Sequence, residues 1–484
     1  MRKGLLAFLS FAIRTSNAIA DGKGDSPAVV ELRFNRQRND DILKIHRPAS
    51  RRDSILSEGI LNEVCHCEFT LTAKLTSQDA MALYTANVTV GTSEQEIAVV
   101  LDTGSSDTWF NIPSSNFCQN MANDCERYGI YDNSSSRTYT FLNHEFNITY
   151  KDGTKATGDY VKDTIQLGGV MLSQFQFGIA EESTSNRGTL GLGFPALEAT
   201  RTQYPNFPQA LVQAGHIKSA TYSLWMEDVT SHSGTILFGG VNTAKYLGQL
   251  QTIPLQPTGG VYTFFRVILT GLALQQRGSN TTKYPDTEFP LLVTIDSGAS
   301  VTRLPKSLTT AIYSGLGVTH NAEYNVPVLP CSMKDRDITL TFDFSGVRIN
   351  VSIHELVLNG VDMDGDTVLC VFGIYTSTSG IPVLGDTFLR STYVVFDLAN
   401  RETSMANTNF NPGVDAILEI GTGKDAVPGA TPVPSPATTA VNMPTAVPLT
   451  KGTEGNHGSI AINVQMDVKL LFAGLIVSLV SAPL

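Results

Sequence analysis

The sequence predicts an all-β fold in two related halves, with a few short helices. Three observations lead there. Short apolar or alternating runs, such as "YTANVTV" from Tyr84, "GTILFGG" from Gly234 and "TYVVFDL" from Thr392, are bounded by Gly, Asn and Asp and carry the two-residue period of strands. Helical periodicity is scarce, and only "FPQALVQAG" and "PKSLTTAIYSGL" predict helices. The third observation is an internal repeat. "VVLDTGSSDTWF" at residues 99–110 is echoed by "LVTIDSGASVTRLP" at 292–305, so Asp102-Thr103-Gly104 has its counterpart in Asp296-Ser297-Gly298. Leu190-Gly191 follows Asp102 by 88 residues, and Leu384-Gly385 follows Asp296 by the same 88. Equal offsets between matched pairs indicate duplication.

The chain has 484 residues, 42% of them hydrophobic, enough for more than one core. Its formal charge is −11, which argues against nucleic acid as a partner. The first 52 residues carry eleven basic and five acidic side chains, so residues 53–484 must hold −17. A basic leader precedes an acidic body.

Residues 1–20 read as a secretory signal: basic "MRKG", apolar "LLAFLSFAI", then the small-x-small site Ala18-Ile19-Ala20. Residues 21–52 read as a pro-segment ending at Arg51-Arg52, a dibasic site for a kexin-like processing protease. Two halves follow, at 53–245 and 246–410. From 411 to 455 the Pro/Thr/Ala-rich texture of "PGATPVPSPATTAVNMPTAVPLT" predicts an extended stalk. Residues 456–484 end in "LLFAGLIVSLVSAPL", short for a spanning helix and suited to a glycolipid (GPI) attachment signal with Asn456 as acceptor. A retained membrane helix is the alternative. Sequons at Asn87, Asn133, Asn147, Asn280 and Asn350 predict glycosylation. A secretory route also favours bridged over reduced cysteines. Together these features place the protein at the cell surface, on plasma membrane or wall.

A buried aspartate at the end of an apolar strand is costly unless it does chemistry. Two such groups a few ångströms apart cannot both ionise in a low-dielectric cleft, so they share one proton. The ionised member can take a proton from a water while the protonated one donates a hydrogen bond to an acceptor. Gly104 and Gly298 leave room for backbone beside the carboxylates. "ITYKDGTKATGDYVKDTIQL" at 148–167 adds a hairpin signal at Asp152-Gly153.

These motifs resemble those of pepsin-like aspartic endopeptidases, above all the yapsin-like, GPI-anchored members of fungi, from about Tyr84 to Phe410. The resemblance implies a bilobal fold with a central cleft and Asp102 and Asp296 as the catalytic pair. Thr103 and Ser297 would bond across to the opposite loop's backbone, Gly104, Ser105 and Gly298 would support the loops, and Leu190-Gly191 and Leu384-Gly385 would thread beneath them. It also implies a flap carrying Tyr150, Asp152 and Gly153 and backed by Trp109, and disulfides Cys118–Cys125 and Cys331–Cys370. Cys65 and Cys67 either pair or stay free. No metal or cofactor is implied, and the expected partners are polypeptide substrates of a monomeric zymogen. Basic residues are preferred near the scissile bond in these relatives, and Asp152 either meets them or serves only its turn. Lys151 stands where the family often has a small residue. Ala299 departs further, lacking the hydroxyl of its counterpart Ser105. The rival reading is an inactive pepsin-fold protein that binds peptides or serves the cell wall; such proteins usually lack an aspartate, a following hydroxyl or the flap tyrosine, all present here.

Overall fold

A computed structural model describes residues 28–37 and 83–442, apart from 121–122, 232, 323–324, 364–366 and 379. The predicted signal, Arg51-Arg52, Cys65, Cys67, Asn456 and the terminal apolar run lie outside the described residues.

The two halves share one sheet. Among its fourteen strands the central run is Tyr246–Pro254, Glu402–Thr408, Thr392–Asp397, Thr221–Met226, Ser233–Phe238, Val30–Gln37, Leu83–Val90 and Gln95–Asp102. The halves join where Thr392–Asp397 pairs antiparallel with Thr221–Met226, Val394 opposite Leu224. Every residue of those two strands is buried. Their period of two explains why both faces are apolar. Tyr222, Leu224, Met226, Val394 and Phe396 point into the main core, whereas Trp225, Tyr393 and Val395 point to a separate core on the back. A five-stranded sheet containing Arg266–Leu269, Leu291–Ile295 and Val383–Leu384 underlies the second half's site. The two predicted helices form at Phe207–Gln213 and Lys306–Leu316, the latter ending on Gly317 in the left-handed region. Cys118 is bonded to Cys125 and Cys331 to Cys370.

Part of the expected pro-segment lies inside the central sheet. Val30, Leu32 and Phe34 alternate inward with Glu31 and Arg33, so "VELRFNRQ" is a half-buried strand by pattern. It pairs with Ser233–Phe238 from Val30↔Phe238 to Asn35↔Ser233, and with Leu83–Val90 from Asn35↔Thr85 to Gln37↔Leu83. Phe34 meets Tyr84 edge-on at 5.3 Å.

The stalk expected over 411–455 needs correction for 411–442, which pack against the body instead. Ile417–Glu419 pairs with Gly240–Asn242, and Ala430–Pro432 runs parallel to Tyr246–Pro254. Ile420 and Val427 are buried on the back of the central sheet against Trp225, Val241 and Tyr393. Composition misled because the few apolar residues of this stretch carry no period of their own. They follow the holes of the sheet beneath. Ile420 is fully buried, so Ile420→Ala should lower the unfolding free energy by about 2–5 kcal/mol in chemical denaturation. A stalk residue would show no change.

Candidate active site

Each catalytic loop begins where a doubly supported strand ends. Gln95–Asp102 pairs antiparallel with Leu83–Val90 and in parallel with Gly188–Gly191, which sets Leu101 beside Leu190 and Asp102 beside Gly191. In the second half, Leu291–Ile295 pairs antiparallel with Arg266–Leu269 and in parallel with Val383–Leu384, which sets Ile295 beside Leu384. The repeated 88-residue offset is therefore a repeated strand pairing.

The loops lock together through reciprocal bonds. Ser297 N donates to Thr103 Oγ1 at 2.9 Å, and Thr103 N donates to Ser297 Oγ at 3.1 Å. Ser297 Oγ in turn donates to Leu101 O at 2.9 Å. All these groups are buried, where a lost partner costs about 1–3 kcal/mol, so the two halves fix each other's loops.

The carboxylates meet over the two glycines. A Cβ added at Gly104 would collide with the Asp296 carboxylate, and one at Gly298 would collide with that of Asp102. Asp102 Oδ1 accepts from Gly104 N at 2.7 Å and Oδ2 from Ser105 Oγ at 2.5 Å. Asp296 Oδ1 accepts from Gly298 N at 2.9 Å, and Ala299 supplies no second side-chain donor. Burial pushes the Asp102 carboxyl up to about 7, the Asp296 charge adds to it, and the Ser105 and Gly104 bonds pull it back. A hydrogen bond shared with Asp296 also holds the proton on Asp102. Two acids so placed favour the state in which one proton serves both.

The hairpin of Thr140–Thr149 and Lys155–Leu167 turns at residues 150–154, with Tyr150 N donating to Thr154 O at 2.7 Å. Gly153 has φ +91°, which favours glycine. Asp152 is exposed at the tip, and both its oxygens accept from Thr154, from N at 2.8 Å and from Oγ1 at 3.0 Å. Trp109 Nε1 donates to the Tyr150 hydroxyl at 2.8 Å, tying the flap's base to the first catalytic half. Lys151 Nζ lies 4.8 Å from the centre of the Phe264 ring, so the flap tip touches the second half.

Sequence reasoning passed over Asp107, five residues beyond Asp102. It is fully buried and accepts from Tyr160 OH at 2.8 Å, Tyr204 OH at 2.7 Å and Ala199 N at 2.7 Å. Nearby Glu198 accepts from Tyr204 N at 2.8 Å, and burial pushes its carboxyl up to about 9. This cluster fixes the segment between the catalytic loop and Trp109. The available signal was an acid two places before a tryptophan in an otherwise apolar and hydroxyl-rich run.

Of the five sequons, Asn87, Asn147, Asn280 and Asn350 are exposed and Asn133 is half-buried.

Two acids sharing a proton, held by a two-lobed β framework beneath a hairpin, define an acid–base hydrolase that works through a bound water. The comparisons make the class specific. The family model for eukaryotic aspartyl protease matches residues 83–408, and the chain belongs to that family. It is 42% identical over 450 residues to the probable aspartic-type endopeptidase opsB of Aspergillus oryzae, covering 91% of this chain and 89% of that one. It is 32% identical over 457 residues to aspartic proteinase yapsin-3 of Saccharomyces cerevisiae, covering 90% of this chain and 83% of that one. In fold it resembles the aspartic proteinase from Irpex lacteus, with TM-score 0.55 at 20% identity over 69% of this chain and 96% of that one. The protein is an aspartic-type endopeptidase acting on polypeptides.

The chemistry follows from the site. The ionised member of the pair removes a proton from the attacking water, and the protonated member bonds the scissile carbonyl. After attack, the first returns its proton to the departing amide nitrogen. Giving Asp296 a hydroxyl donor through Ala299→Thr should favour the ionised pair. Because Asp102 keeps the proton, the donor acts on the member that ionises first, and the acidic limb of the kcat/KM profile should move to lower pH while the basic limb stays; an unmoved acidic limb would contradict this reading of the donor asymmetry. Stability carries the same sign. Asp102 holds its proton more tightly when folded, near 7 against an ordinary 3.8, so stability present below about pH 4 is lost as pH rises to 7. Asp102→Asn removes that loss. The variant should gain more Tm over the parent at pH 7 than at pH 3.5, while losing nearly all activity.

Proposed function

We propose that the enzyme works at the cell surface and prefers basic residues near the scissile bond. Charge supports the preference: residues 53–484 carry a net −17, which draws cationic peptides to the body. Asp152 is a weaker source, since Thr154 takes both its oxygens. The basic signal, the dibasic Arg51-Arg52 and the Asn456 acceptor with its apolar tail support secretion as a zymogen. They also support processing by a kexin-like protease and GPI tethering to membrane or wall. With 411–442 bound to the body, the stalk of this reading shortens to 443–455. A cut after Arg52 would leave Val30–Gln37 held by its strand pairs alone, so activation must either retain that strand or replace it.

The observation that carries the catalytic reading is the approach of the Asp102 and Asp296 carboxylates over Gly104 and Gly298, with the two loops bonded to each other through Thr103 and Ser297. The processed enzyme should degrade an unfolded protein at acidic pH, stop with a peptide transition-state mimic, and fail as Asp102→Asn. In a peptide library, Lys and Arg near the cleaved bond should outperform Leu and Phe. Equal rates would refute the basic preference and leave the protease assignment untouched.

A further inference from the structure

The two catalytic strands do not receive equal support from their own halves. The strand leading to Asp102 has a parallel partner over four residues, Val99 to Asp102 against Gly188 to Gly191. The strand leading to Asp296 has one over two residues, Thr294 and Ile295 against Val383 and Leu384. On that edge Leu292 has no strand partner among the described residues. The tail supplies one. Leu292 N donates to Asn442 Oδ1 at 2.7 Å, and Asn442 Nδ2 donates to Leu292 O at 3.1 Å. Next to it, Val441 N donates to Pro290 O at 2.8 Å. A primary amide satisfying both backbone groups of one residue stands in for a neighbouring strand.

Asn442 reaches that position along a continuous path. After Ile420 and Val427 cover the back of the shared sheet, Val433 N donates to Thr252 O at 2.9 Å and Ala437 N to Ser345 Oγ at 2.9 Å. Asn400 Nδ2 also donates to Gly423 O, at 3.0 Å. The tail thus runs from Gly240–Asn242, across the back of the shared sheet, to the strand that delivers the second catalytic acid. These contacts lie beyond residue 408, where the family match ends.

We propose that residues 411–442 form a strap belonging to the catalytic unit and that Asn442 is a positioning residue for Asp296. It acts through the Leu291–Ile295 strand and touches neither substrate nor carboxylates. By this account the functional body ends at Asn442, and a cut inside the strap harms catalysis where a cut beyond it does not.

The full-length enzyme carrying Asn442→Ala tests this, with Ser345→Ala as a comparison that removes a strap contact away from the catalytic strand. Asn442→Ala should lower kcat by about tenfold while KM stays within about twofold, because the reacting groups and not the substrate contacts are displaced. Burial raises the Asp102 carboxyl most and the Asp296 charge adds to it, so a receding Asp296 should move the basic limb of kcat/KM down by about half a pH unit. Tm should fall by less than about 5 °C, and Ser345→Ala should leave kcat and the pH limb unchanged. The proposal is overturned if Asn442→Ala keeps the parent kcat and pH limb, if its loss lies wholly in KM, or if Ser345→Ala reproduces the same kinetic changes.

Discussion

Everything in this molecule depends on two loops from different halves being held against each other tightly enough to keep two acids on one proton. Neither half can do this alone. Thr103 and Ser297 each use a side-chain oxygen to bind the other's backbone N–H, so the loops are correct only when both are present. The shared sheet sets the halves at the distance that this exchange requires. The two glycines allow the final approach, since any side chain there would meet the opposite carboxylate.

The dyad is symmetric in topology and asymmetric in chemistry. Ser105 gives Asp102 a short charge-stabilising bond, whereas Ala299 gives Asp296 none. Burial nevertheless dominates at Asp102 and holds its proton toward neutrality. The same imbalance extends outward. The first half braces its loop with Trp109 against the flap tyrosine and with Asp107 beneath two tyrosine hydroxyls. The second half has the shorter parallel support and leans on the tail. Duplication provided the frame, and each copy was then completed from different material.

The sequence made the catalytic pair and the β class legible because both leave local signatures. A strand ending in Asp-Thr/Ser-Gly is a contiguous pattern, and its repetition at equal offset reports a pairing that both halves share. The flap was legible for the same reason, through its Asp152-Gly153 turn. What stayed hidden depends on contacts distant in sequence. Val30–Gln37 has a readable alternation, yet nothing local shows that its partners are Ser233–Phe238 and Leu83–Val90. Asp107 looks like a turn residue until Tyr160 and Tyr204 arrive from later strands and loops. Residues 411–442 look unstructured because Pro, Thr and Ala dominate, and their order comes from an apolar surface supplied by other strands.

A difference proton titration of the parent enzyme against Asp102→Asn/Asp296→Asn tests the shared proton most directly. The account predicts two separated steps from the pair, with one proton retained from acid pH until near 7. Two carboxyls losing their protons together near pH 4 would contradict it.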